Sequence, residues 1–270
     1  MLDKLDFLIN YLLKENTKVK VDEIPSDTLE KKMLYRSLCN IREPRPMDET
    51  YIKIENEYLQ EELQKKNITK VDNIKPIVET IKESNLENKD KICLWQGDIT
   101  TLQIEAIVNP ANSQGLGCFQ PLHNCLDNQI QTFAGVQMRL ECNEYMKKIN
   151  YNLPTGKAFI TKGYNLSAKH VIHTVGPIIN FEVTSEDKML LRNCYINSLQ
   201  LLKEKGLKTI AFPCISTGIF RFPKELAVKC AFEAVNEFLI DNRNDIDKIV
   251  FNVYGEEDFA IYDKFIRESK

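Results

Sequence analysis

The segment TIAFPCISTGIFRFPKELAVKCAFEAVNEF, residues 209–238, contains the pattern that decides the fold. Residues 209–214 form a short apolar run, which is typical of a buried strand. The end of the segment carries apolar residues at helical spacing, namely Ala227, Cys230, Ala231, Ala234, Val235 and Phe238. We therefore predict a strand, a loop and a helix in direct succession.

Similar patterns occur on both sides of this segment. Short apolar runs bounded by Gly, Pro and Asn predict five further strands, at 92–95, 106–109, 158–161, 170–175 and 249–254. A second helical stripe comprises Ile130, Ala134, Met138, Cys142, Met146 and Ile149. Strands that alternate with helices indicate a layered α/β domain with a largely parallel or mixed sheet.

The N-terminal third differs from the rest of the chain because it contains no glycine before Gly97 and is rich in charged residues. Apolar residues recur there at helical spacing in three places: Leu5, Leu8, Ile9, Leu12 and Leu13; Leu29, Met33, Leu34 and Leu38; and Tyr51, Ile54 and Tyr58. We predict a small helical N-terminal region at 1–89 and an α/β domain at 90–270. The helices either pack against the main domain or take part in substrate recognition.

Composition limits the class of protein. The chain has 270 residues, of which 43% are hydrophobic and 28% charged, as in ordinary soluble proteins. A net charge of -3 provides no basic surface for nucleic acid, and no apolar run reaches the roughly 18 residues of a membrane span. The start of the chain lacks the order of a secretion signal. We therefore expect a cytoplasmic protein whose eight cysteines are thiols or metal ligands.

The loop at 214–223 has the composition of an anion site. Ser216, Thr217 and Gly218 form a turn of small residues that can point successive backbone N–H groups at phosphate oxygens. The following helix, with Pro223 at its first position, would add the positive end of a helix dipole. An ordinary strand-to-helix turn that needs one glycine is an equally good interpretation of these residues.

The loop after the strand at 106–109 combines two thiols and an imidazole. Cys118, His123 and Cys125 follow one another in C-x4-H-x-C order, a donor set that zinc accepts. No fourth ligand follows nearby in the sequence, and three protein ligands with one open position are typical of catalytic zinc. The alternative is that the cysteines are small buried hydrophobes and the histidine lies at the surface.

Polar side chains accompany this donor set. Asn109, Asn112 and Asp127 occur where a strand delivers them to the carboxyl edge of the sheet, which is where such folds bind ligands. Their amides and carboxylate can bind sugar hydroxyls. Asn and Asp also form turns and helix caps, so these residues have a structural alternative, and Asp127 can serve in both ways.

Four stretches, in this order, resemble the macrodomain family: Gly97-Asp98-Ile99-Thr100, AIVNPAN at 106–112, KHVIHTVGP at 169–177 and ISTGIFRFP at 215–223. The resemblance covers roughly residues 90–268. The insertion GCFQPLHNC at 117–125 resembles the zinc-containing branch of microbial macrodomains that hydrolyse protein ADP-ribosylation. The resemblance implies a three-layer α/β/α sandwich with a central mixed sheet that holds ADP-ribose.

The resemblance also implies roles for individual residues. Asp98 would accept a hydrogen bond from the adenine amino group, Ile99 would contact the base and Tyr254 would stack on it. The diphosphate would lie on Ser216, Thr217, Gly218, Ile219 and Phe220. Asn112 and Asp127 would face the distal ribose as catalytic residues, with Asp127 as base or water positioner. Zinc would lie beside that ribose on Cys118, His123 and Cys125.

The function that the resemblance implies is zinc-dependent hydrolysis of the bond between mono-ADP-ribose and a modified protein. That branch is associated with sirtuin-type ADP-ribosyltransferases and with lipoyl-carrier proteins of the glycine cleavage H type, so such a carrier is the expected partner. Two alternatives stay open. The first is a reader that binds ADP-ribosylated proteins without cleaving them, and the second is an O-acetyl-ADP-ribose deacetylase.

Overall fold

The computed structural model describes residues 3–269. Its helices are α1 (Lys4–Glu15), α2 (Thr28–Ile41), α3 (Glu49–Gln64), α4 (Ile77–Thr80), α5 (Leu126–Ala134), α6 (Val136–Lys148), α7 (Ser185–Glu204), α8 (Lys224–Asn242) and α9 (Glu256–Glu268). Its strands are β1 (Thr69–Lys70), β2 (Ile92–Gln96), β3 (Leu102–Gln103), β4 (Ala106–Pro110), β5 (Ala158–Lys162), β6 (His170–Thr174), β7 (Thr209–Phe212) and β8 (Lys248–Val253).

A mixed sheet of six strands, in the order β2-β8-β7-β4-β6-β5, lies at the centre of the fold. The first five strands in this order are parallel to their neighbours, and β5 is antiparallel to β6. These six strands are the ones that the sequence predicts. Because the carboxyl ends of parallel strands meet at one edge, the loops after β2, β4, β6, β7 and β8 share that edge.

Helices cover both faces of the sheet, because successive side chains of each buried strand point to opposite faces. In β8, Ile249 and Phe251 belong to the hydrophobic core that also contains residues of α7, α8 and α9. Val250, between them, belongs to the core formed with α5 and α6. The fold is therefore the expected α/β/α sandwich.

The second predicted helical stripe is interrupted. Gly135 separates α5 from α6 with φ 91° and ψ 177°, a backbone conformation that is essentially restricted to glycine. The stripe therefore belongs to two consecutive helices rather than one. Both nevertheless direct their apolar residues to the same core, including Ile130 and Met138.

The N-terminal helices form a cluster of their own. Residues of α1, α2 and α3 build a separate hydrophobic core, and the carboxylates of Asp27 and Asp48 cap the starts of α2 and α3. The chain between α3 and β2 packs differently: Ile77, Ile81 and Leu86 lie in the core of the α/β layers. Within residues 3–269, no helix is both long and apolar enough to cross a membrane.

Substitution of Gly135 tests the break between α5 and α6. An added Cβ would lie 2.8 Å from Glu55 Oε2, a carboxylate that also accepts hydrogen bonds from Tyr35 and Tyr51. We expect Gly135→Ala to lower the free energy of unfolding by about 3 kcal/mol, through backbone strain and the clash together. Gly206→Ala is the control, because Gly206 has φ +67° but no neighbour within 4 Å among the described residues. Gly206→Ala should lower the free energy of unfolding in urea by about 1 kcal/mol. Equal losses in the two variants would contradict the close contact between Gly135 and Glu55.

Candidate functional site

Asp98 follows β2 at the carboxyl edge of the parallel strands. Its Oδ1 accepts hydrogen bonds from the backbone N–H of Thr100 at 2.9 Å and from the Thr100 hydroxyl at 2.6 Å. Its Oδ2 lies 3.4 Å from the ammonium group of Lys66, which follows α3. One carboxylate oxygen is therefore committed to the turn, and the other remains accessible to a ligand donor.

The two residues expected at an adenine base have different surroundings. Ile99 is 3% exposed and lies in the core formed with α5 and α6. Tyr254, directly after β8, is 80% exposed. The side chain of Ile99 therefore belongs to the core, whereas the ring of Tyr254 is accessible to a ligand.

The loop after β7 is a tight turn with an unsatisfied hydroxyl. Ser216 has φ +66°, and its carbonyl accepts a hydrogen bond from Phe222 N at 3.0 Å. The Oγ of Ser216 is buried and has no hydrogen-bond partner among the described residues. One close neighbour is the loop after β6, where an added Cβ on Gly176 would lie 1.9 Å from this oxygen. Gly218, in the same turn, is exposed, as an approach to a ligand requires.

The loops after β6 and β7 are held together. Ile179 N donates to Phe220 O at 2.8 Å, and the Arg221 guanidinium donates to Asn180 Oδ1 at 2.9 Å. Arg221 is thus bound at the surface, and Ile219 is 71% exposed. The loops also pack tightly at Gly176, where an added Cβ would lie 1.9 Å from Ser216 Oγ.

A buried hydrogen-bond chain holds Asp127 at the start of α5. Asn109 and His173 are directly opposite each other in the β4–β6 pair. The Asn109 amide nitrogen lies 2.7 Å from Asp127 Oδ1 and 3.1 Å from His173 Nδ1. Since this nitrogen donates, Nδ1 accepts and the His173 Nε2–H donates to the hydroxyl of Thr161, 2.9 Å away.

Burial shifts the protonation equilibria of both ionisable members of this chain. It lowers the pKa of His173 to about 3, so the imidazole is neutral. It raises the pKa of Asp127 to about 6, although the hydrogen bond from Asn109 opposes that shift. A carboxylate with a pKa near neutrality is suited to accept and return a proton.

Asn112 organises the beginning of the loop between β4 and α5. Its Oδ1 accepts hydrogen bonds from Gln114 N at 3.0 Å and Gly115 N at 3.2 Å. Its Nδ2 donates to Gly117 O at 3.0 Å and lies 3.5 Å from Asp127 Oδ2. The structure therefore brings Asn112 to Asp127, as expected, and also gives it the role of a turn former.

Cys118, His123 and Cys125 converge in the second half of this loop, residues 117–125, which we call the metal loop. Their ligand atoms all lie within 4.8 Å of one another, and Cys118 Sγ is 3.6 Å from His123 Nδ1. Zinc with bonds of about 2.3 Å to sulfur and 2.0 Å to nitrogen places neighbouring tetrahedral donors about 3.6 Å apart. The three side chains can thus hold a zinc ion with little rearrangement.

Cys125 links this trio to Asp127. It is the N-cap residue of α5, and its Sγ accepts a hydrogen bond from Asn128 N at 3.4 Å. Burial, together with the nearby Asp127 carboxylate, raises the pKa of the Cys125 thiol to about 12. Metal binding would deprotonate this thiol. Asp127 is two residues further along, in the first turn of the same helix.

Some residues of the site were not found from the sequence. His173 lies on a predicted strand, but only the register of β4 and β6 pairs it with Asn109. Lys66 lies among many charged residues and carries no distinguishing signal. Arg139 follows Met138 of the apolar stripe, but only the structure shows that it is buried.

Comparisons with known proteins find similar sequences over nearly the whole chain. The family model "Macro domain" matches residues 108–231. A protein-ADP-ribose hydrolase of Treponema medium is 46% identical over 260 residues, 96% of this chain and 97% of that relative. A protein-ADP-ribose hydrolase of Staphylococcus aureus (strain COL) is 41% identical over 96% of this chain and 93% of its own length. These matches include the N-terminal helices.

Solved structures show the same fold. A Trypanosoma brucei macrodomain in complex with ADP-ribose superimposes with a TM-score of 0.65 at 25% identity, over 84% of this chain and 94% of that chain. An Oceanobacillus iheyensis macrodomain with ADP has a TM-score of 0.58 at 35% identity, over 64% of this chain and 88% of that chain.

Gly176→Ala tests the contact between the two loops. The added methyl group would displace Ser216, and we expect a loss of about 1–3 kcal/mol in the free energy of unfolding. Gly218→Ala is the matched control, because no described atom lies within 4 Å of its added Cβ. The control should change stability by less than about 0.5 kcal/mol. Chemical unfolding of both variants measures the difference, and equal stabilities would show that the loops are further apart.

Proposed function

Because this chain belongs to the Macro domain family, we propose that it is a protein-ADP-ribose hydrolase, an enzyme that removes ADP-ribose from modified proteins. The hydrolases of Treponema medium and Staphylococcus aureus match it over nearly their whole length, including the helical region. The observation that carries the proposal is the buried Asp127, held by Asn109 beside the Cys and His side chains of the metal loop.

The proposed binding mode follows the edge of the sheet. Asp98 Oδ2, which also faces the Lys66 ammonium group, accepts a hydrogen bond from the adenine amino group, Ile99 lies below the base and Tyr254 stacks on it. The turn at 216–220 receives the diphosphate, where backbone N–H groups of small residues can donate to phosphate oxygens. The distal ribose then reaches Asn112 and Asp127, whose Nδ2 and Oδ2 atoms lie 3.5 Å apart.

The proposed reaction is hydrolysis at C1 of the distal ribose. Asp127 accepts a proton from water as the water oxygen forms its bond to C1. The bond between C1 and the protein side chain breaks, and the same proton passes to the leaving side chain. A pKa of about 6 leaves Asp127 largely ionised at neutral pH and therefore able to begin this cycle.

We also propose that Cys118, His123 and Cys125 hold zinc. Support comes from the donor set and from the 3.6 Å separation between Cys118 Sγ and His123 Nδ1. When bound, zinc would supply Lewis acidity, either toward the ribose hydroxyls or toward a water molecule. The protein's own contribution is to keep these ligands next to Asp127.

The substrate protein is a finer proposal. We propose a lipoyl-carrier protein of the glycine cleavage H type in the cytoplasm, modified by a sirtuin-type ADP-ribosyltransferase. Its support is the resemblance of the metal loop to the corresponding macrodomain branch. It is therefore the first substrate to compare with other mono-ADP-ribosylated proteins.

Release of free ADP-ribose from a mono-ADP-ribosylated carrier protein tests the function. We expect release by the unaltered protein and a decrease in rate of about 10²–10⁴-fold in Asp127→Asn, which removes a base and keeps an acceptor for Asn109. Asp90→Asn is the control and should retain full activity, because Asp90 precedes β2 and lies at the amino ends of the parallel strands. Binding without release would identify a reader. Cleavage of O-acetyl-ADP-ribose alone would identify a deacetylase.

Zinc removal separates binding from hydrolysis. After treatment with a chelator, or in Cys118→Ala and His123→Ala, we expect hydrolysis to fall by at least about 100-fold. Calorimetric affinity for ADP-ribose should be retained, because the adenine and diphosphate subsites are separate from the metal loop. Cys230→Ala, a thiol of α8, is the control. Full turnover by protein shown by elemental analysis to be metal-free would refute the role of zinc.

A further inference from the structure

Arg36 of helix α2, in the N-terminal region, contacts the metal loop with its guanidinium group. The guanidinium group of Arg36 donates to His123 O at 2.8 Å, the carbonyl of a proposed metal ligand. It also donates to Asn128 Oδ1 at 3.0 and 2.8 Å. The amide of Asn128 in turn donates to Gln120 O at 3.0 Å. Arg36 therefore fixes two carbonyl groups of the loop, one directly and one through Asn128.

A second side chain of α2 holds the residue before the histidine ligand. Asn40 is 1% exposed, and its Oδ1 accepts a hydrogen bond from Leu122 N at 3.0 Å. Its Nδ2 donates to the hydroxyl of Thr132 in α5, also at 3.0 Å. Leu122 has φ +55°, a left-handed conformation that is unusual for leucine. Asn40 thus joins this strained position to the helix that carries Asp127.

Arg139 of α6 fastens α2 to the other end of the loop. Its Nη1 donates to the carbonyl oxygens of Cys39 at 2.8 Å, Asn40 at 3.0 Å and Arg42 at 2.7 Å, at the C-terminus of α2. Its guanidinium also lies over the ring of Phe119, 4.5 Å from the ring centre. Phe119 directly follows the first thiol ligand, so both ends of the loop are tied to α2.

The loop has little structure of its own. Among the described residues, one backbone hydrogen bond closes within 117–125, from His123 N to Gln120 O at 3.2 Å. Fixing a backbone residue costs about 1–2 kcal/mol of conformational entropy. If the loop were mobile, metal binding would have to order it, and the affinity for the metal would be lower. The contacts with Arg36 and Asn40 order the loop before a metal arrives.

We propose that Arg36 and Asn40 are positioning residues of the metal site, and that the N-terminal helical region completes this site rather than only packing against the domain. The inference rests on the proposed zinc ligands Cys118, His123 and Cys125. It assigns the helical region a part in the chemistry of the cleft, because α2 holds the ligands in binding geometry.

Metal affinity of the full-length protein tests this role. We expect Arg36→Met and Asn40→Ala to weaken zinc binding by about 10–100-fold in competition with a chromophoric chelator. Cobalt substitution should show weaker or shifted thiolate-to-cobalt absorption in both variants. The affinity of the metal-free protein for ADP-ribose should stay unchanged. Lys32→Met is the matched control, because Lys32 lies on the same helix and pairs with Glu62.

Conservative variants separate positioning from folding. Asn40→Asp keeps an acceptor for Leu122 N and should retain more zinc affinity than Asn40→Ala. If Asn40→Ala fails to fold, Arg36→Met decides the outcome, because Arg36 is only partly buried. Zinc binding by folded Arg36→Met and Asn40→Ala as tight as that of the unaltered protein would overturn this inference alone. Absence of zinc binding by the unaltered protein would overturn the proposed zinc site as well.

Discussion

The hydrogen bonds from α2 to the metal loop are the constraint on which the proposed chemistry depends. The metal loop, residues 117–125, is the second half of the connection between β4 and α5 and forms few backbone hydrogen bonds within itself. Its shape therefore comes from Arg36, Asn40 and Arg139. Those contacts determine where two thiols and an imidazole lie. They also fix the start of α5, and with it the position of Asp127.

The parallel sheet is the second feature that positions the site residues. Five parallel strands end at one edge, and each proposed subsite follows one or two of these strands. The register of β4 and β6 places Asn109 opposite His173, which builds the chain that holds Asp127. A ligand can therefore extend along this edge, from Asp98 to the metal loop, without any strand having to move.

Local patterns in the sequence predicted the six strands and the apolar stripes of α5, α6 and α8, because apolar runs and helical spacing report burial directly. They did not indicate α7 and α9, which also pack on the sheet. They missed the break at Gly135, since one glycine in an apolar stripe does not reveal its dihedral angles. Arg36 contacts two residues that lie 87 and 92 positions further along the chain, so no local sequence pattern indicates these contacts. The raised pKa of Asp127 likewise arises from burial that the sequence does not display.

The most direct test is anomalous diffraction at the zinc absorption edge from crystals of the full-length protein with ADP-ribose. We expect one strong anomalous peak within bonding distance of the Cys118 and Cys125 sulfurs and a ring nitrogen of His123. The distal ribose should lie next to that peak, and Asp127 next to the ribose. A cleft occupied by ADP-ribose, with no anomalous peak at these three side chains in catalytically active crystals, would contradict it.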